Sequence, residues 1–320
     1  MSEYTDLEAQ YPHIAFNDQP NKRDKNHSLL MIEAFNIVPN NWNLGILKQY
    51  KRCYTWNSKF YDLIKNQVDI RMINGFPLFD NYNNLTTFLP YEQKKHAVCL
   101  ICRYRQPPMV DGDITHLRYK TFMELGIEKD CYGKIPYCQP YYRGVIGNKE
   151  TETYPSSLAK LELLNHYKFS LTFENCYHEG WSCDYITEKS LDAMRARCLN
   201  IYFGCSNVEK WIPPELFIDY RQFKNNDDLT KYLNSISEKD YLKKVNDSFD
   251  FVQTCRYGNI EDLKKVLDKI RLPECMVVYT DGKDKARMIM GLNADLYIDN
   301  ESAEFDYINN HSNTLALPYI

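Results

Sequence analysis

Six consecutive residues, Asp184-Tyr185-Ile186-Thr187-Glu188-Lys189, put a hydroxyl, a carboxylate and an ammonium group where an amphipathic helix begins. The amino end of a helix exposes N–H groups without intrahelical partners and carries the positive end of the dipole. It therefore attracts anions such as a diphosphate. A cation in that first turn opposes the dipole, and an anionic ligand would account for Lys189. Thr187 is suited to cap the helix, and the Glu188 carboxylate offers an acceptor for ribose hydroxyls. Upstream, the apolar run Phe169 to Phe173 reads as a strand that stops at Glu174-Asn175.

Those residues need elements to hold them. A second strand, Leu199 to Phe203, stops at Gly204, and a Trp-Ile-Pro-Pro turn leads to Phe217-Ile218-Asp219. Strand, loop and helix amino end recur with the polar residues gathered where strands finish, which is the ligand-binding edge of an open α/β sheet. Strands at Ala97–Arg103 and Ile127–Cys131 alternate with helices at Thr115–Leu125 and about Ser156–Asn165, which predicts a parallel, doubly covered sheet. Helices near Asp227–Ser235 and Glu238–Cys255 close it. Before it, Leu29–Glu33 and Tyr50–Trp56 read as strands and Ser58–Lys65 as a helix. After it, strands at Met276–Thr280, Ala294–Ile298 and Thr314–Leu317 interleave with helices near Lys283–Leu292 and Ser302–Asn309. The expected division is 1–94 for a short N-terminal domain, 95–260 for a ligand-binding domain and 261–320 for a C-terminal α/β extension.

Bulk properties narrow the function classes. With 320 residues and a formal charge of −4, the chain has room for two cores and lacks the basic footprint of a nucleic-acid binder. It contains no apolar run long enough to span a membrane and no signal-peptide pattern. Eleven scattered cysteines read as buried thiols in a reducing compartment. Cys99 and Cys102 lie three apart in a strand and point to opposite faces, a poor chelating geometry. Asp111-Gly112-Asp113 has the form of a D-x-D metal motif, but a turn and a helix cap explain it better, so no metal site is assigned. Phosphate-loop and dinucleotide glycine fingerprints are both absent.

The stretch from Tyr167 to Phe223 resembles the donor-binding region of glycosyltransferase family 10, the α-1,3-fucosyltransferases. The matching residues are Phe169, Leu171, Phe173-Glu174-Asn175, Asp184 to Lys189, Gly204, Pro214 and Phe217-Ile218-Asp219. Glu128 to Lys134 is similar to a further family segment. The tail has wording similar to the second half of haloacid-dehalogenase-like hydrolases, without their nucleophile motif. The family resemblance implies a GT-B-like α/β fold, two Rossmann-like domains facing a cleft. It also implies transfer of L-fucose from GDP-fucose, with inversion, to a hydroxyl of a glycan or glycoprotein acceptor. No cofactor is required; a divalent cation, Mn or Mg, could assist without being needed for the fold.

By position the resemblance makes Arg118, with Lys189, a diphosphate ligand and Asn175 and Tyr185 nucleotide-sugar contacts. It makes Glu33, followed by Pro39-Asn40, the general base that takes the acceptor proton. By residue type, Glu174, His178 and Trp181 are candidates for further sugar contacts. Two features depart from the family pattern. The loop Cys176 to Cys183 is longer than usual, and only about thirty residues precede Glu33. Animal and plant members carry an N-terminal Golgi anchor, whereas this chain reads as a soluble, cytoplasmic form or one lacking its anchor. The rival readings are a relative with another nucleotide-sugar donor, and a carbohydrate-binding or scaffold protein that keeps the fold.

Overall fold

The structure, a computed structural model, describes residues 9–76, 85–103, 111–133, 138–146, 157–258, 264–265, 267–268, 296–299 and 315–318. The chain forms two compact units, Met1–Leu267 and Asp268–Ile320.

The first unit holds two parallel sheets. In the smaller one, β1 (Ile14–Phe16), β2 (Ser28–Leu30), β3 (Arg52–Thr55) and β4 (Ile70–Met72) pair in that order. Helix α1 (Leu44–Leu47) precedes β3 and α2 (Ser58–Ile64) follows it. Leu29, Met31, Leu47, Cys53, Phe60 and Ile64 form its core. β1 and β4 were not foreseen, because three-residue strands carry too few positions to show a period. The strand expected over Leu29–Glu33 ends at Leu30. Glu33 lies in the loop beyond, whose Ile32 and Glu33 N–H groups both donate to Asn17 Oδ1 at 2.9 Å. Asn17 sits at φ 62°, a conformation that asparagine tolerates better than most residues.

The larger sheet has the order β10-β9-β8-β5-β6-β7, all parallel. Its members are β5 (Lys95–Ile101), β6 (Glu128–Tyr132), β7 (Tyr142–Gly144), β8 (Tyr167–Leu171), β9 (Leu199–Tyr202) and β10 (Ile218–Asp219). Among the described residues five helices accompany it: α3 (Thr115–Glu124), α4 (Ser157–Asn165), α5 (Glu188–Arg195), α6 (Asn226–Ser235) and α7 (Glu238–Thr254). Alternation along β5 sends Val98 and Leu100 into one core with Phe122, Leu229 and Val245. Ala97 and Cys99 enter the other with Leu161 and Leu164. Burial on both faces explains why its strands read as continuous apolar runs. From β5 the chain proceeds to β6 and β7 on one side, then returns to place β8, β9 and β10 on the other. The order therefore reverses between β5 and β8, the point where open α/β sheets form their ligand crevice.

Gly133, at φ 111°, ends β6 so close to the neighbouring chain that a Cβ would stand 2.1 Å from the Cys102 carbonyl oxygen. The ten described cysteines are free thiols. No described helix is long and apolar enough to cross a membrane.

Beyond α7, Tyr257 reaches back to the smaller sheet. Its hydroxyl accepts N–H bonds from Phe76 and Ile186 at 3.0 Å and donates to the Asp184 carbonyl.

The second unit contains β11 (Leu296–Asp299) and β12 (Leu315–Pro318), parallel, with Leu296 opposite Leu315. The strand expected at Met276–Thr280 and the helices expected near Lys283–Leu292 and Ser302–Asn309 lie outside the described residues.

Candidate active site

β8 delivers Thr172, Phe173, Glu174 and Asn175 at the carboxyl end of the sheet, beside the reversal point. α5 begins on the same edge, with Thr187 as its N-cap, extended and accepting from the Lys189 N–H. Glu174 is fully buried. Its carboxylate accepts the Thr187 N–H and the Thr187 hydroxyl, both at 2.7 Å, and lies 3.4 Å from Lys189 Nζ. The expectation of free N–H groups at this helix end is therefore corrected in part: an internal carboxylate already occupies the place of an anion at Thr187. Gly204 makes that arrangement possible, since a Cβ there would stand 2.4 Å from Glu174 Cβ and Cγ.

Burial raises the Glu174 pKa, and attraction from Lys189 with the Thr187 hydrogen bonds only partly opposes the rise. Glu188 is different. Crowding by the chain would raise its pKa, but Lys189 at 3.7 Å and Lys160 at 3.8 Å outweigh that and hold it at about 2. It stays ionised at neutral pH and remains partly exposed.

Arg118 lies on α3, which descends from the reversal point. It is 3% exposed, and its terminal nitrogen donates to the Glu174 carbonyl and, at 3.2 Å, to Asn175 Oδ1. Its Nε has no partner, and no ion pair neutralises it among the described residues. A buried guanidinium served only by neutral oxygens is costly unless an anion joins it. Arg118 and Lys189 thus approach Glu174 from its main-chain and side-chain ends.

Asp113 is engaged within the protein. One carboxylate oxygen caps the Thr115 N–H at 2.8 Å, and the other receives Asn36 Nδ2 at 2.9 Å. Among the described residues no cluster of three or more His, Cys, Asp or Glu side chains could hold a metal ion.

The Glu33 loop of the smaller sheet meets this edge directly. Asn36 is 2% exposed and donates to the Asn175 carbonyl at 2.9 Å, which ties the loop carrying Glu33 to the loop after β8. Burial pushes the Tyr185 pKa well up, and the charges of Glu33, Glu174 and Glu188 add to the rise. The Tyr185 ring itself is 1% exposed and stacks on Trp56 at 5.0 Å. The ring is thus packed in the junction of the two sheets.

Asp184, the first residue of the six, also proves to be part of that junction. It is fully buried and accepts bonds from the Ser58 N–H and hydroxyl, Asn207 Nδ2 and Trp211 Nε1. Trp181 packs on Trp42, Phe60 and Phe35 at 5.7, 5.7 and 6.3 Å, so it anchors the long loop to the smaller core. Asn57 reinforces the anchor by donating to the carbonyls of Gly180, Trp181 and Cys183. Asn17, Asn36 and Asn57 escaped the sequence reading, since their partners lie up to 139 residues away. A separate surface hollow of about 390 Å³, bordered by Glu215, Tyr232, Asp240 and Lys244, shares no residue with this cluster. Sheet-edge geometry and charge, rather than hollow size, identify the candidate site.

Two parallel sheets, one reversing order beside a helix amino end that collects cations, define a GT-B-like α/β protein. An alpha-glucosyltransferase solved with UDP-glucose and DNA shares this fold at a TM-score of 0.52 and 9% identity, over 77% of this chain and 72% of that one. The chain belongs to glycosyltransferase family 10 (fucosyltransferase), whose C-terminal profile matches residues 118–277. The human 3-galactosyl-N-acetylglucosaminide 4-alpha-L-fucosyltransferase is 31% identical over 134 residues, covering 41% of this chain and 31% of that protein. The Xenopus laevis GDP-fucose protein O-fucosyltransferase 3 is 33% identical over 105 residues, 32% of this chain and 20% of its own length. The chain thus aligns with a third or less of these curated relatives.

Proposed function

We propose that the protein transfers L-fucose from GDP-fucose, with inversion at the anomeric carbon, to a hydroxyl of a glycan acceptor. The observation that carries this reading is Arg118, a buried guanidinium without a counter-ion among the described residues, set with Lys189 around Glu174 at the reversal point of the larger sheet. A departing diphosphate supplies the missing anion, and charge stabilisation at the leaving group is the largest demand of such a displacement. Glu188, held ionised, accepts from ribose hydroxyls, and Asn175 lies against Arg118 where the sugar phosphate would rest. Tyr185 acts as a positioning residue through its hydroxyl. Membership of a fucosyltransferase family and relatives named for GDP-fucose or fucose transfer support the choice of donor.

Glu33 is the proposed base. Its loop is pinned by Asn17 on one side and by Asn36 on the other, and its charge reaches the same Tyr185 hydroxyl as Glu174 and Glu188. In this role it removes the acceptor hydroxyl proton as the C1–O bond forms and the bond to the diphosphate breaks. The test is Glu33→Gln, assayed for transfer and, separately, for GDP affinity by calorimetry. Transfer is expected to fall by about 10²-fold or more with GDP affinity unchanged. Full transfer activity in that variant would remove Glu33 from the mechanism.

A further inference from the structure

The long loop between Asn175 and Asp184 presents one polar group that the donor reading leaves unused. His178 Nδ1 accepts N–H bonds from Gly180 at 3.1 Å and Trp181 at 3.4 Å. A nitrogen that accepts two N–H groups carries no proton, so the hydrogen of the neutral ring is on Nε2. The main chain of His178 is held as well: Ser182 Oγ accepts its N–H at 3.0 Å and donates to its carbonyl at 2.8 Å. Among the described residues Nε2 has no hydrogen-bond partner, and it is not sealed from solvent. It is a fixed, accessible donor.

Its surroundings point to a ligand class. Phe35, two residues from Glu33, meets the His178 ring edge-on at 6.4 Å, and the Trp181 ring stands 6.4 Å away on the loop side. Gly112, at φ 85°, allows this approach; a Cβ there would stand 3.0 Å from Phe35 Cζ and 3.2 Å from His178 Cβ. The site therefore joins an aromatic wall and a single N–H donor, two residues along the chain from the Glu33 carboxylate. An aromatic face suits the apolar face of a pyranose, and the Glu33 carboxylate on the Phe35 loop disfavours an anionic partner there.

We infer that His178 Nε2 donates to an oxygen of a neutral acceptor sugar whose ring lies along Phe35, which brings one of its hydroxyls to Glu33. This rests on the sugar-transfer reading above and adds the acceptor side to it. His178 is thereby a specificity-determining contact, and the lengthened loop is the element that supplies it.

The decisive variant is His178→Asn, whose side-chain oxygen can replace Nδ1 as acceptor for Gly180 and Trp181 while no donor remains at the Nε2 position. Its melting temperature should match wild type. With galactosyl-N-acetylglucosamine as probe, its acceptor KM should rise about five- to ten-fold, the scale of one hydrogen bond. Its KM for GDP-fucose, and any transfer of fucose to water in the absence of acceptor, should not change. His178→Gln, which restores a donor near Nε2, should recover part of the loss. Saturation-transfer NMR of the same disaccharide with GDP present should show contact in wild type and a weakened signal in His178→Asn. A wild-type acceptor KM in His178→Asn, or no contact between wild type and the disaccharide while GDP is still bound, would overturn the inference. Failure of wild type to bind GDP at all, read by calorimetry, would instead overturn the donor reading and this one with it.

Discussion

Glu174 and Asp184 are both fully buried carboxylates, ten residues apart at the two ends of one loop, and the protein treats them in opposite ways. Asp184 collects the Ser58 N–H at 3.0 Å, the Ser58 hydroxyl, Asn207 at 2.9 Å and Trp211 at 2.7 Å, with Lys210 at 3.3 Å. Burial would raise its pKa, but these donors hold it at about 2. Glu174 has two donors on one threonine and a single ammonium at 3.4 Å, and burial keeps its pKa raised. The number of donors decides the outcome. A saturated carboxylate makes a permanent joint between the two sheets, and an undersatisfied one marks a place where partners can be exchanged for a ligand.

The largest expected effect of breaking this contrast is at the joint. Asp184→Ala should destabilise the protein by about 3–5 kcal/mol in urea unfolding, because it leaves Trp211, Asn207 and Ser58 donors buried without an acceptor. Acidity tests the same residue. Its folded pKa of about 2 lies below the ordinary 3.8, so its ionised form adds stability that is complete above about pH 4. That contribution, about 2 kcal/mol, is lost as the pH falls toward 2. Asp184→Asn should therefore show a flatter acid limb in stability against pH; an unchanged limb would contradict the assignment.

Glu174 should give the smallest effect on stability and the opposite sign with pH. A raised folded pKa means that ionisation is harder in the folded chain, so the charge subtracts stability at neutral pH and the penalty fades in acid. Glu174→Gln should change unfolding stability by only about 1 kcal/mol, since Lys189 is partly exposed and water can solvate it. GDP affinity should rise by about 0.5–1 kcal/mol as the competing internal anion is removed. A marked loss of both stability and GDP affinity would make Glu174 a second joint.

Much of this architecture can be read along the chain, and the reason is local. Helices α2, α5, α6 and α7 begin at Asn57, Thr187, Asn225 and Ser237, whose side chains cap the first turn. β5 and β8 are buried on both faces and announce themselves as apolar runs. The three-residue strands β1, β4 and β7 carry no such signal. The candidate site is legible by residue type at Lys189, Glu188 and Glu174. The division of labour inside Asp184 to Lys189 is not, because it depends on Ser58 and Trp56 from the other sheet. The same holds for Glu174 sealing the Thr187 N–H and for Asn36 carrying the Glu33 loop across to Asn175. Contacts that join distant segments leave no period or cap in either segment.

The most direct test of the diphosphate site is calorimetric titration of GDP, UDP and CDP into wild type and Lys189→Ala. GDP should bind best, and the substitution should weaken it by about 1.5–3 kcal/mol, the scale of a charge-assisted hydrogen bond. Equal GDP affinity in the two proteins, or no preference for GDP in wild type, would contradict the account.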